Sequence, residues 1–392
     1  MYSFAYRLYP NRSQTLALEW QLELHRELYD SAIEERREAW RRSRVSVNYY
    51  LQANQLKAVR ETRREFAEIN YSACQQTLRR VNKAFQNFFR RIRLSQTPGC
   101  PRLKSRARFN SISFVFGNGA ARSYGRLKIQ GIGAIKVKWH RPIPPDTRIK
   151  QVILHRKVDR WYATFQIELP KLTGPQHQGE PVGIDLGLRN LLALSNGELI
   201  QTPRYHLQSE RKLRVQQRRV SRRKQYSTGW RKAARLVART HSHIASQRRD
   251  LAHKLSRRLA DRFCLIAVED LPIKGLSRTR LSKSVHDAGW AQLLLLLDYK
   301  VENTGSRVIS VNRHLTSQLC SNSGIIVKKD LNVHPHVCPN CGLVLDRDVN
   351  AARNILKLAL NSLGRSDGSI TWADTPSVLP EAVLSSEQSR HW

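Results

Sequence analysis

The sequence predicts a multidomain α+β fold, and three observations carry that expectation. At 392 residues the chain is longer than one hydrophobic core ordinarily serves, so roughly two to four domains are expected. Helical and strand periods are segregated, with apolar residues at helical spacing up to residue 96 and short alternating runs bounded by turn residues over 97–180. Farther on, two apolar strands and one Ala- and Leu-rich helix each carry an acidic residue at one end.

The elements follow in order. Tyr2 to Leu8 reads as a first strand. From Asn11 to Trp40 the residues Leu18, Leu22, Tyr29, Ile33 and Trp40 recur at spacings of four and seven, one face of a helix. A second helix carries Leu78, Val81, Phe85, Phe88 and Ile92 on one stripe, with Arg79, Arg80, Lys83, Arg90 and Arg91 around it. The stripe reads as core, and the arginines as phosphate contacts or a solvated face. Thr97-Pro-Gly-Cys-Pro101 breaks this pattern. Ser111 to Phe116, Leu127 to Ile129, Ile135 to Trp139, Gln151 to Leu154 and Trp161 to Leu169 then form a β-rich stretch whose spacing suits a small barrel.

Val182-Gly-Ile-Asp-Leu-Gly187 is an apolar run broken by one acid, the pattern of a central strand that opens onto a site. Gly187 lets the backbone turn with no side chain in the way. Leu191 to Leu194 continues apolar, and Asn196-Gly197 marks a hairpin turn into Glu198-Leu-Ile200. Tyr205 to Leu259 is strongly basic, including Arg211, Lys212, Arg218, Arg219, Arg222 and Arg223, but interleaved Leu213, Val215, Val220, Leu236, Ile244 and Leu255 argue for helices with one packed face. Cys264 to Val268 is a second apolar strand with Glu269 at its end, and Leu293 to Leu297 is a short core segment. Val349 to Leu360 has helical spacing, which puts Asp348 at a helix N-terminus. After Leu360 the composition shifts to Ser, Gly, Pro and isolated acids, and the tail is expected to be mobile. Trp230 and Trp290 are expected to pack rather than stack on bases.

Asp185, Glu269 and Asp348 are the candidate catalytic residues. Brought together, three carboxylates repel and raise their own pKa values unless a cation sits among them. Their hard oxygen ligands suit Mg²⁺ or Mn²⁺, and two such ions roughly 4 Å apart activate a water and stabilise a leaving oxygen in phosphodiester cleavage. Against this, a single Asp at a strand end is commonly a turn or cap residue, and Asp270 and Asp346 are adjacent competitors. Cys338-Pro-Asn-Cys341-Gly342 is half of a zinc knuckle, since two thiolates two residues apart grip one tetrahedral ion. Cys74, Cys100 and Cys264 have no metal spacing and read as buried or partly buried residues.

The formal net charge of +37 points to a long polyanion as partner. No stretch approaches the ~20 apolar residues of a membrane span. With no signal peptide and with cysteines spaced as metal ligands, a reducing cytoplasm is expected.

Six motifs, Gly183-Ile-Asp-Leu-Gly187, Val268-Glu-Asp-Leu271, His286-Asp-Ala-Gly-Trp290, Thr316-Ser-Gln318, Cys338-Pro-Asn-Cys-Gly342 and Asp346-Arg-Asp-Val-Asn-Ala-Ala352, occur in an order and spacing that resemble the TnpB (OrfB) proteins of insertion sequences, relatives of the type V CRISPR effectors. The resemblance runs over nearly the whole chain. It implies an RNase H-like (RuvC) nuclease core at 181–315 and 343–365, with Asp185, Glu269 and Asp348 as its three acids. It also implies a wedge-like β-barrel domain at 1–10 and 97–180, an inserted helical recognition lobe at 11–96, a zinc-ribbon-like insertion at 316–342 and a mobile tail at 366–392. The implied activity is RNA-guided DNA cleavage by two-metal hydrolysis, with a guide RNA and target DNA as partners. A heteroduplex of about 20 base pairs carries roughly 40 phosphates, the same order as the charge excess.

The chain departs from that family in one knuckle. Cys320-Ser-Asn-Ser323-Gly324 has a serine where a fourth cysteine is expected, and serine is a poor zinc ligand at neutral pH. Three outcomes stay open: Cys320, Cys338 and Cys341 completed by His334 or His336, a weak site completed by water, or a ribbon without metal. A nuclease-weak, guide-dependent DNA-binding repressor is the alternative function, and a basic RNA-binding structural protein explains the charge but not the acids.

Overall fold

The structure, a computed structural model, describes residues 2–145, 147–168, 177–276, 278–279, 281–312, 316–328 and 333–364. The tail expected to be mobile, 366–392, lies outside the described residues. The chain divides into two compact units, Met1–Pro170 and Lys171–His391.

The first unit contains β1 (Tyr2–Tyr9), helices α1 (Arg12–Ser43), α2 (Tyr49–Thr62), α3 (Arg64–Glu68) and α4 (Tyr71–Arg93), then β2 (Ser111–Phe116), β3 (Gly119–Ser123), β4 (Arg126–Ile129), β5 (Gly133–Lys138), β6 (Arg148–Lys157) and β7 (Arg160–Glu168). The seven strands close into a barrel in the order β1-β5-β4-β3-β2-β6-β7. Closure removes the unpaired edges that an open sheet would present. Alternate residues point inward, so Tyr6 and Leu8, Ile112 and Phe114, and Ala163, Phe165 and Ile167 are buried. The Tyr6 ring meets Phe165 edge-on at 5.5 Å and Trp139 at 4.8 Å.

The helices form one excursion between β1 and β2. Asn11 starts α1 through a capping box with Gln14. Asn70 caps α4 by accepting from the Ala73 N–H, and its own amide donates to Asn118 and Gln130 in the barrel loops. That one side chain both starts the helix and fixes it to the barrel. Two expected core stripes hold only in part. Burial ends at Arg36 in α1 and at Val81 in α4. Trp40 is therefore 53% exposed and Ile92 47%, because the last turns of both helices run beyond their packed segments. Cys100 is exposed rather than partly buried, in the Pro-flanked break at 97–101. The short strand β3 was not legible, since Gly119-Ala-Ala-Arg-Ser123 lacks an apolar alternation.

The second unit contains β8 (Pro181–Asp185), β9 (Asn190–Leu194), β10 (Leu199–Gln201), α5 (Tyr205–Ser221), α6 (Thr228–Arg262), β11 (Leu265–Glu269), α7 (Ile273–Leu276), α8 (Ser282–Ala288), α9 (Trp290–Thr304), β12 (Arg307–Val311), β13 (Pro335–Val337), β14 (Val344–Asp346) and α10 (Arg347–Ser362). Five strands form a sheet in the order β10-β9-β8-β11-β12, with β8 parallel to β11 and β11 parallel to β12. The Asn196-Gly197 turn joins antiparallel β9 and β10 as expected, with Gly197 at a φ of 94°.

Both sheet faces are covered, which is why the central strands read as unbroken apolar runs. Val182, Ile184, Ile266 and Val268 pack with Leu255, Leu259, Leu293 and Leu297 of α6 and α9. On the opposite face Ala267 packs with Ile355 and Ala359 of α10. Gly183 permits this close approach, since a Cβ there would lie 2.0 Å from the Ala352 carbonyl oxygen. Trp290 is buried, and Trp230 is half-buried beside Tyr226 at 5.6 Å. In the basic pair α5 and α6, Leu213, Ile244 and Leu255 are buried, whereas Val215 and Leu236 are exposed against expectation.

Candidate active site and sulfur cluster

Asp185 ends β8 and Glu269 ends β11, the neighbouring parallel strand, one residue beyond the Ile184–Val268 pair. Parallel register thus puts both acids at the same carboxyl edge of the sheet. Asp348 lies in the first turn of α10, which packs on β8. Its backbone N–H donates to the Asp346 side chain at 2.8 Å, so Asp346 caps the helix. Asp270, the other competing acid, is exposed.

The fold brings the three predicted acids into electrostatic contact. Burial first, then the charges of Asp348 and Glu269, push the Asp185 carboxyl up to about 7, against a smaller pull from Arg347 and the Leu186 N–H. Asn190 donates to Asp348 Oδ2 at 3.3 Å, and Arg347 Nε lies 3.5 Å from Asp348 Oδ1. The Thr316 hydroxyl donates to Glu269 Oε1, and both residues are buried. Gly187 is needed for space and not for an unusual backbone angle: a Cβ there would lie 2.6 Å from the Asn190 carbonyl oxygen and 3.7 Å from Asp348 Oδ2.

Sequence reasoning did not single out Asn190, Arg347 or the role of Thr316. Asn190 and Asp348 are 158 residues apart, and no local pattern marks the pair. Arg347 was visible only as the middle of Asp346-Arg-Asp348, and Thr316 only inside a quoted motif.

A second cluster is tighter. Among the described residues, the one trio of potential metal ligands whose ligand atoms all lie within 4.8 Å of one another is Cys320, Cys338 and Cys341. Cys320 and Cys341 have their sulfurs 3.6 Å apart, and Ser323 Oγ is 3.3 Å from Cys338 Sγ. The two turns share one backbone pattern: Gly324 N–H donates to Cys320 O and Gly342 N–H to Cys338 O, both at 3.0 Å. Both glycines adopt the left-handed φ that such turns require, 73° and 68°. Ser323 therefore occupies the corner a fourth cysteine would take. Burial pushes the Cys320 thiol up, but hydrogen bonds from the Ser323 side chain, the Ser323 and Asn322 backbone and His336 outweigh it and bring the thiol to about 5. Ser323 also lowers the Cys338 thiol. Low thiol pKa values keep sulfur in the thiolate form that binds metal.

The acids at the strand ends and the paired sulfur turns lie within the segments covered by two family profiles. The OrfB_IS605 profile, described as "Probable transposase", matches residues 164–280, and the Cas12f1-like TNB domain matches 290–355. The fold class is that of a Cas12f1 protein solved in complex with sgRNA and target DNA, with a TM-score of 0.55 and 15% identity over 88% of this chain and 82% of that one. A protein of Streptomyces pristinaespiralis is 32% identical over 379 residues, 93% of this chain and 91% of its own length. A protein of Escherichia coli K12 is 27% identical over 272 residues, covering 65% and 66%. Both carry the name "Putative RNA-guided DNA endonuclease", the second with the suffix InsQ. The chain belongs to the TnpB (OrfB) family.

Proposed function

We propose that this protein is an RNA-guided DNA endonuclease whose RNase H-like (RuvC) centre is formed by Asp185, Glu269 and Asp348. The single observation that carries this reading is the electrostatic coupling of three carboxylates from segments far apart in sequence, at the carboxyl edge of a parallel strand pair and a helix start. A carboxyl pushed up to about 7 by burial and then by two neighbouring acids is an arrangement that costs stability unless a cation offsets the charge. The oxygen-only donor set fits Mg²⁺ or Mn²⁺, which when bound supplies Lewis-acid activation of water and of the leaving oxygen in a two-metal hydrolysis. The chain's own part is to hold and orient. Asp185, Glu269 and Asp348 bind, Asn190 and Thr316 aim two of the carboxylates, and Arg347 balances the excess negative charge.

In this reading 1–10 and 97–180 form the wedge-like barrel domain, 11–96 the recognition lobe, 181–315 with 343–365 the nuclease domain, and 316–342 the zinc-ribbon-like insertion. Guide RNA and target DNA are the partners. The names of the two relatives and the exposed cations of α5 and α6, among them Arg211, Arg218, Arg219, Arg231 and Lys232, support that assignment. Zn²⁺ is assigned to Cys320, Cys338 and Cys341, whose spacing and lowered Cys320 and Cys338 thiols suit it. The protein acts in the reducing cytoplasm, where those thiols stay free of disulfides; among the described residues no helix is long and apolar enough to cross a membrane.

The test is cleavage of a plasmid matched to the RNA that co-purifies with the protein. Cutting is expected with Mg²⁺, and Asp185→Ala should lose at least about 100-fold in rate while still binding the target. Binding without cutting by the parent protein would support the repressor instead.

A further inference from the structure

The segment from Thr316 to Ser321 joins the two clusters. At one end the buried Thr316 hydroxyl donates to Glu269 Oε1. At the other end lies Cys320, one of the three clustered thiols. Between them, one face of α10 grips the backbone. Asn354 Nδ2 donates to the Thr316 carbonyl at 2.8 Å and to the Leu319 carbonyl at 2.7 Å. Asn350 accepts from the Ser321 N–H at 2.8 Å and donates to the same Leu319 carbonyl at 2.7 Å, and Lys357 Nζ donates to the Ser321 carbonyl. Positions 350, 354 and 357 recur at helical spacing, with Asp348 at the head of the same helix. So α10 carries one carboxylate of the acid site and, through a clamped strap, fixes the hydroxyl that aims another.

A buried carboxylate has several rotamers, and a single hydrogen bond to one oxygen selects among them and leaves the other oxygen for a ligand. Asn350 and Asn354 are themselves buried, and every contact they make to the strap is to backbone, so the clamp depends on the shape of the strap and not on its side chains. Thr316 is the member of the strap that reaches the site.

We propose that Thr316 is a positioning residue, holding Glu269 in the orientation that binds a divalent ion, from a strap clamped by Asn350 and Asn354 and anchored at Cys320. This inference rests on the nuclease reading above. It is tested with Thr316→Val, which keeps the shape and removes the hydroxyl, and Thr316→Ser, which keeps the hydroxyl. Two readouts are taken on the full chain with its bound RNA: the Mg²⁺ concentration for half-maximal cleavage, and Mn²⁺ binding without DNA, followed by loss of the free-ion electron paramagnetic resonance signal.

For Thr316→Val, half-saturation for both ions is expected to rise about 10- to 100-fold, the range typical of lost outer-shell partners, with the rate recovered at saturating Mg²⁺. Thr316→Ser should stay within about twofold of the parent, since the donor is retained. Parent-like Mn²⁺ binding by Thr316→Val overturns the proposal. So does an equal loss in Thr316→Ser, which would make the position one of packing alone. If the parent binds Mn²⁺ but cuts nothing, the nuclease reading falls, while the Mn²⁺ comparison still decides the role of Thr316.

Discussion

At the scale of single residues, the informative group is Asp185. Its carboxyl is raised to about 7 by burial and then by the charges of Asp348 and Glu269, from an ordinary value near 3.8. The folded value lies above the unfolded one, so the favourable contribution is complete below the unfolded pKa and disappears as pH climbs through about 7. The ionised form is then a liability, on the order of 4 kcal/mol, in the metal-free chain. Asp185→Asn removes that liability without changing the shape. It should leave the metal-free melting temperature almost unchanged at about pH 3, raise it by a smaller step at about pH 5 and by several degrees at about pH 8, with Mg²⁺ narrowing the gap by stabilising the parent alone. A gap independent of pH would mean that Asp185 stays ionised throughout. The identity of the three acids was legible because each sits where an apolar run stops or a helix starts. Asn190 and Thr316 were not legible, because their roles arise from contacts across 158 and 47 residues that no local period encodes.

At the scale of elements, strand and helix types followed from periodicity, and so did the barrel, the hairpin at Asn196-Gly197 and the helical character of the basic region. Periodicity failed where it has no means of measuring length. The stripes on α1 and α4 continue in sequence past Arg36 and Val81, but burial stops there, since tertiary packing and not the repeat decides how far a helix is covered. The glycine in β8 shows the converse. Gly183 was not marked by the apolar pattern, and it is where α10 packs so near that a Cβ would lie 2.0 Å from the Ala352 carbonyl oxygen. The sulfur turns belong to this scale as well. Their backbone geometry matches although Ser323 stands where the family resemblance leads one to expect a cysteine, so the fourth corner is already shaped. Ser323→Cys should therefore tighten Zn²⁺ by about tenfold or more and raise the melting temperature in its presence. Zn²⁺ affinity is read by competition with a chromophoric chelator. An unchanged or weaker affinity would contradict a fourth corner at position 323 and leave His334 or His336, water, or a ribbon without metal.

At the scale of the whole molecule, a chain with a net charge of +37 holds the electrostatically coupled acids Asp185, Glu269 and Asp348 in its second unit. The excess positive charge suits a polyanionic partner, and the acids suit the ions that such a partner's hydrolysis requires. The general class was open to inference from charge and motif order. The coupling of Glu269 to the sulfur cluster through Thr316 and α10 needed coordinates, since it is built from backbone carbonyls that sequence does not distinguish. The most direct measurement is anomalous X-ray scattering from crystals of the full chain soaked in Mn²⁺. Density bounded by the Asp185, Glu269 and Asp348 carboxylates, absent in Asp185→Ala, is the predicted result. Mn²⁺ bound only at other positions, or density unaffected by Asp185→Ala, would contradict the account.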